Sequence, residues 1–549
     1  MRNSSTDYDA VIVGGGHNGL VAAFYLARGG VRTLVVERRP FVGGACVTEE
    51  FAPGFRASSG AYVLSMLRPQ VWRDMRLAQR GVRVDAAGPT LNLFDDGSHL
   101  FLHDDLAPSV EEIGRFSKAD ASAFPAFEGR LGRIGSAVGR LYDRTPLDPS
   151  QLRSRDAEEA AAIVSMLARD RRLLSEMAFL FTTSAAQFLE EHFESEQVRT
   201  AIGWHAINDS VHGPSSPGTA FVVLHEHVST EAGGLRTWGF VRGGMGCVAD
   251  AMAEAAREAG AEIRTDADVE RILVESGAVR GVAVGGSEVR ADAVISNADP
   301  KRTFLGLMDT SDLPAPFVAS VRAFRCEGTS MKINLAVDEL PHLRGFPNGS
   351  VQPYHRGLVE VGPFLPELDI HQAGARRGVP AEAPHIELCV PTVFDASLAP
   401  PGRHVVTIDV NSQPYTLAEG TWDDVRDEAA DGVIARLGAF FPNLPGSVIE
   451  RQVLTPLDLE RRLGLTGGHA LHGEMTPDQL LFLRPVRGYG DYRTPVRGLY
   501  LCGAGTHPGG GVTGANGRNC AREVLRDRRR ERSRRRLAGA RERLGWARR

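Results

Sequence analysis

The chain opens on a pattern that few folds accommodate. Tyr8–Val13, "YDAVIV", reads as a buried strand running into Gly14-Gly15-Gly16-His17-Asn18-Gly19, then a helical run, "LVAAFYLARGG", and a second strand, "RTLVVE", that ends at Glu37. Gly14, Gly16 and Gly19 form GxGxxG inside a strand–helix–strand unit, the setting in which that spacing signals a dinucleotide site. The first glycine allows the tight turn, the second admits a pyrophosphate, and the third lets helix and strand pack closely. The helix start offers free N–H groups and a positive dipole to the phosphates. Glu37, followed by Arg38, is placed to accept hydrogen bonds from an adenosine ribose.

A second glycine-rich stretch lies near the other end of the chain. "GLYLCGAGTHPGGGVTGANGRNCA", Gly498–Ala521, follows an apolar strand-like run and precedes a helix-like segment. Glycine loses the most backbone freedom on folding, so this density costs stability unless the backbone must approach something closely. We expect the two ends to converge on one ligand. The last strand and helix would complete the nucleotide domain, with Gly503, Gly511, Val512 and Gly514 along the cofactor. The helix beginning near Val512–Gly514 would direct its N-terminus at a site where negative charge develops.

Several blocks carry a family resemblance. They are the "GGGHNGL" start, a Gly-Gly pair (Gly43, Gly44) after Glu37, "WGFVRGGMG", "SNADP", "TPLDLERRLGLTGG", "HGEMTPDQLLFLRP" and the C-terminal glycine loop. With these, the chain resembles the phytoene desaturase-like FAD oxidoreductases. Two positions depart from the usual pattern: Ala45 stands where relatives often have Arg, and Ala504 where many have Asp or Glu. The resemblance implies an α/β protein with a discontinuous Rossmann-like FAD domain and a substrate domain of mixed sheet plus helical cap. FAD would contact Gly14, Gly16, Gly19, Glu37, Arg38, Gly44, Val269, Gly503, Gly511, Val512 and Gly514, noncovalently, and Thr506 is a further candidate for the ribityl chain. Carotenoid ketolases of the same superfamily share the start and the loop, so a ketolase or isomerase using the same flavin is an alternative. An FAD-bound regulatory protein without turnover is another.

On this reading the FAD domain takes residues 1–80, 235–305 and 480–530. A largely helical insertion takes 81–234, a mixed-sheet part 306–479 and a basic tail 531–549. Gly243–Gly246 reads as a helix start rather than a nicotinamide site, so electrons should reach the flavin from an organic, apolar substrate rather than from NAD(P)H. The acceptor would be oxygen, a quinone or a redox partner. His507, inside the flavin loop, is the first candidate for catalysis. His472 and Arg484, with Glu474 and Gln479, are candidates for the pocket wall. His205, Asp209 and His212 have loose metal-like spacing, but we expect no metal. His225 and His227 alternate on a strand-like run and read as structural.

Composition narrows the context. A formal net charge of -5 gives no reason to expect a nucleic-acid partner, and the six cysteines are scattered without a CxxC pair, as suits a reducing cytoplasm. The N-terminus has no signal-peptide character, and no apolar run reaches the length of a spanning helix. From Arg522 to Arg549 there are thirteen arginines against four acidic residues. That tail is a candidate peripheral membrane contact, or a solvated helix extension with intrahelical Arg–Glu pairs.

Overall fold

The computed structural model describes residues 6–153, 156–226, 228 and 238–546. Two seven-stranded sheets organise it. In the first, Tyr8–Val13 lies between Ser287–Ser296 and Thr33–Val36, parallel to both, and Glu262–Arg264 pairs beyond Thr33–Val36. Val11, Ile12, Leu34 and Val35 are fully buried, as expected of central parallel strands covered on both faces. The helix His17–Arg28 packs against the helices Gly246–Glu258 and Ala515–Trp546. The hairpin Val269–Glu275 and Ala278–Val284 extends the sheet on the far side of Ser287–Ser296. Leu499–Leu501 pairs in parallel with Val294–Ser296, which brings the C-terminal glycine loop beside the N-terminal one.

The second sheet runs Val448–Leu454, Met331–Val337, His404–Val410, Ile386–Cys389, Val359–Gly362, Thr90–Phe94 and His99–Leu102. Its last two strands correct the expected division of the chain. They belong to the stretch 81–234, read as largely helical, and form a hairpin closed by the turn Asp95–Ser98. The rest of that stretch is helical, led by Lys118–Tyr142 with Ser117 as its N-cap. Ser117 Oγ accepts a hydrogen bond from the Asp120 amide. A separate apolar cluster holds this part together, with Phe127, Phe188, Trp204 and Leu131 at its centre.

Two further expectations change. His225 lies on the helix Thr219–Glu226, not on a strand, and its partner in that reading, His227, lies outside the described residues. The basic tail is no separate unit: one helix of 32 residues, Ala515–Trp546, runs from the glycine loop across the expected boundary at 530. Among the described residues, no helix is long and apolar enough to cross a membrane.

Candidate active site

A single cavity runs from the edge of the first sheet to the face of the second. At one end lie Glu37, Arg38, Asp268 and Val269; Gly14, Gly16 and Gly44 follow, then Gly511 and Val512. The far end is walled by Tyr62, Trp204 and His205 on one side and by Lys332, Glu387, Asp409 and Asn411 on the other.

The glycine cradle is built by close approach. Gly14 has φ +94°, a conformation side-chain-bearing residues rarely adopt. A Cβ at Gly16 would come within 2.7 Å of the Asn297 Nδ2. Gly44, also at positive φ, packs on the Gly16 backbone. Gly19 does not line the cavity; a Cβ there would lie 2.3 Å from the Gly14 carbonyl, so its role is the expected tight contact of helix and strand. The buried Glu37 accepts hydrogen bonds from the amides of Gly15 (2.8 Å) and Arg39 (2.9 Å), which fixes the acid at the end of its strand.

In the C-terminal loop, Gly511 and Val512 line the cavity directly ahead of the helix that starts at Ala515. Gly503 and Gly514 do not. Gly503 is pressed against the Asn297 carbonyl, and Gly514 against Val71 and Val21, so both serve packing. Thr506 is turned inward as well: its hydroxyl donates to the Gly503 carbonyl. Asn516 donates to the carbonyls of Gly503, Thr506 and Gly509 and holds the loop as one piece.

Of the three candidates for catalysis, only His472 lines the cavity. His507 is 1% exposed, with its Nε2 3.1 Å from the Leu141 carbonyl and its ring edge-on to Tyr142. Burial drives its imidazole down to about 4, so it is neutral and faces the helical part, not the cavity. We therefore expect His507→Ala to leave FAD content and the flavin spectrum unchanged while destabilising the fold by about 2 kcal/mol through the void it leaves. Thermal denaturation followed with flavin absorbance checks both halves.

Arg484 is also structural. Fully buried, it donates to the carbonyls of Leu471, Gly473, Glu474, Gln479 and Ala504 and so fastens the segment before the last strand to the glycine loop. Glu474 accepts from Ser210 and the Val211 amide, and Gln479 bonds to the Arg325 backbone; neither lines the cavity. Asp209 binds the buried His469 (2.8 Å) and the amide of Thr329, while His205 lines the cavity. Among the described residues no group of three or more His, Cys, Asp or Glu could hold a metal.

Other cavity residues escaped the sequence reading. His17, inside the glycine motif, lies in the wall near His472; burial, then the nearby His472, lowers its imidazole to about 4. The larger omission is a polar row across the second sheet. Lys332 stands opposite Asp409, Asp409 opposite Glu387, Glu387 opposite Glu360 and Glu360 opposite Asn92, on five adjacent strands. Side chains opposite one another share a face, so the strand registers alone gather one lysine and three acids there.

The Lys332 ammonium is 4% exposed and sits 3.1 Å from the centroid of the Tyr62 ring. Tyr62 in turn donates to Glu387. Burial, then the neighbouring Glu360, pushes Glu387 up to about 8. Burial also raises Asp409 and lowers Lys332, each opposed by the other's charge. Burial works against ionised Glu360 too, but His205 and His385 outweigh it and its carboxyl falls below its usual range. The result is a protein-shielded row that holds one proton more than its residues would in water.

The comparisons with known proteins agree with this geometry. The model of the flavin containing amine oxidoreductase family matches residues 19–525. The chain is 40% identical over 545 residues to the rat (Rattus norvegicus) "pyridine nucleotide-disulfide oxidoreductase domain-containing protein 2", covering 95% of this chain and 94% of that one. It is 28% identical to a limonene dehydrogenase polypeptide of Castellaniella defragrans, with 94% of each covered. Putrescine oxidase bound to putrescine superposes with a TM-score of 0.59 at 17% identity, over 95% of this chain and 98% of that one, which shows the shared fold. Despite the rat relative's name, no CxxC redox pair is present here and the six cysteines are unpaired. The glycine cradle, the terminal acid and the second loop fit FAD, and the chain belongs to the flavin containing amine oxidoreductase family as an FAD-dependent oxidoreductase.

Proposed function

We propose that this oxidoreductase is a dehydrogenase that takes hydride from an organic substrate with an apolar body and a polar end. The observation that carries this is the two-sided wall of the cavity's far end: Tyr62, Trp204 and Met66 on one side, the Lys332–Asp409–Glu387 row on the other. The sequence alone suggested a substantially apolar substrate; the row adds the polar end. A relative named as a limonene dehydrogenase supports the apolar body.

FAD, when bound, supplies the hydride acceptor. Gly14, Gly16 and Gly44 would admit its pyrophosphate, and Glu37 and Val269 would meet its adenosine. The aromatic wall excludes water and fixes the substrate's orientation, which is most of what hydride transfer asks of a protein. Removing hydride from a neutral C–H centre leaves a proton to be lost, and the row is the polar group set beside that compartment. Asp409, close to Lys332, is the member we assign to accept it; Glu387 already carries a proton at neutral pH.

No second nucleotide fingerprint precedes the helix Gly246–Glu258, whose approach strand Gly239–Val241 and turn lack the GxGxxG spacing. Electrons should therefore come from the substrate and leave to oxygen, a quinone or a redox partner. The expected result on anaerobic mixing is that NADH and NADPH leave the flavin oxidised, whereas a fraction of a cell metabolite extract bleaches it. Fast, saturable bleaching by either nicotinamide would reverse the electron flow and overturn the reading. A flavin that resists every reductant in the extract would favour an FAD-bound protein without turnover.

A further inference from the structure

The C-terminal helix divides into two electrostatically different halves. In the proximal half every arginine has work inside the protein. Arg518 donates to the Asp143 carbonyl, Arg522 pairs with Glu159, Arg526 with Glu158, Glu159 and Glu523, and Arg528 with Asp9. From Arg529 onward the described side chains are exposed. Arg529, Arg530, Arg532, Arg534 and Arg536 have no acidic partner among the described residues. Glu531 is the only acid between 529 and 536. At 1.5 Å per residue the whole helix is about 48 Å long, so this half extends well beyond the loop it starts from. Arginines three and four apart repel one another, at a few tenths of a kcal/mol per pair, so the distal half lacks the internal pairing that would explain its charge.

We propose that this distal half is a docking surface for an anionic lipid bilayer. Charge complementarity is the main argument. The neighbouring sequence chooses among polyanions. Leu537 is 64% exposed one residue beyond Arg536, Leu544 follows two turns later, and Trp546 ends the helix. Basic residues joined to Leu and Trp suit a headgroup–acyl boundary. No aromatic residue stands among the arginines from 529 to 536 to stack on nucleic-acid bases, which makes nucleic acid the weaker match.

The test uses the full-length, FAD-loaded protein in co-sedimentation with vesicles of phosphatidylcholine alone or mixed with phosphatidylserine, at low and high salt. The expected result is binding to the phosphatidylserine vesicles only, lost at high salt as the charges are screened. A variant with Arg529, Arg530, Arg532, Arg534 and Arg536 all changed to Gln should partition roughly a thousandfold less, taking about a fivefold contribution from each arginine. A chain ending at Arg528 should behave like it, and both should keep their FAD because the cavity lies upstream. Absence of binding to phosphatidylserine vesicles would overturn the proposal, as would binding that survives either change. Preferential binding of a nucleic-acid duplex over the vesicles would overturn it in favour of the other polyanion.

Discussion

Gly14→Val protein is expected to purify colourless. Gly14 stands at the turn out of the first strand with φ +94°, where a β-branched residue is a strong outlier. Space alone is not the obstacle, because the nearest atom to an added Cβ, on Asn297, is 3.6 Å away. The cost has two parts: backbone strain, and a side chain facing the path of the pyrophosphate. Gly30→Ala separates them. Gly30 has φ +75°, nothing within 4 Å of an added Cβ, and no place in the cavity wall. It should cost about 1 kcal/mol of stability and leave FAD in place. Gly14→Val should lose FAD affinity by at least about a hundredfold, a deficit of roughly 3 kcal/mol at the cofactor. FAD content per protein and titration with added FAD measure both variants. A Gly14→Val protein that stays fully loaded would show that the cofactor does not pass this turn.

The cofactor half was readable because its signals are local. Gly14, Gly16 and Gly44 are required by backbone conformation and close approach, and these constraints appear as residue types at fixed spacing. Convergence of the two ends also followed from pattern, and the pairing of Val294–Ser296 with Leu499–Leu501 provides it. Side-chain direction is a different matter. His507 belongs to the right loop and points away from the cavity, and Arg484 lies in the right segment but spends its donors on five carbonyls. Nothing in sequence spacing distinguishes an inward from an outward loop residue. The polar row is harder still, since it exists only through the register of strands far apart in the chain. A faint signal was present: "MKINLAV", "HIELCV" and "HVVTIDV" each carry one charged residue inside an apolar run, and those residues are Lys332, Glu387 and Asp409. A charge in the middle of a buried strand needs a partner, and three such strands supply one another.

The same row gives two substitutions of opposite sign. Glu387→Gln should stabilise the protein. In the unfolded chain this carboxyl ionises near its ordinary value of 4.5, whereas in the fold it is pushed up to about 8. Between those values the folded state binds a proton that the unfolded state has released, so wild-type stability falls as pH rises through the window and levels off above it. Glutamine keeps the size and the acceptor for the Tyr62 hydroxyl but does not ionise, which removes that slope. Its advantage should be absent near pH 4 and reach on the order of 3 kcal/mol by pH 8. Lys332→Met should do the reverse. It withdraws the one ammonium from a row of three acids, together with its contact on the Tyr62 ring, and costs about 3 kcal/mol. Asp409 can relieve part of that loss by taking up a proton, so the damage should grow with pH. Combining the two changes should cost less than their sum predicts, because the introduced glutamine makes no demand on the missing charge. Thermal melts of holoprotein across the pH range, with FAD content checked for each variant, test every part of this. A Glu387→Gln gain that stays flat with pH would mean that the carboxyl is ionised in the folded wild type, and the row would then have no stored proton.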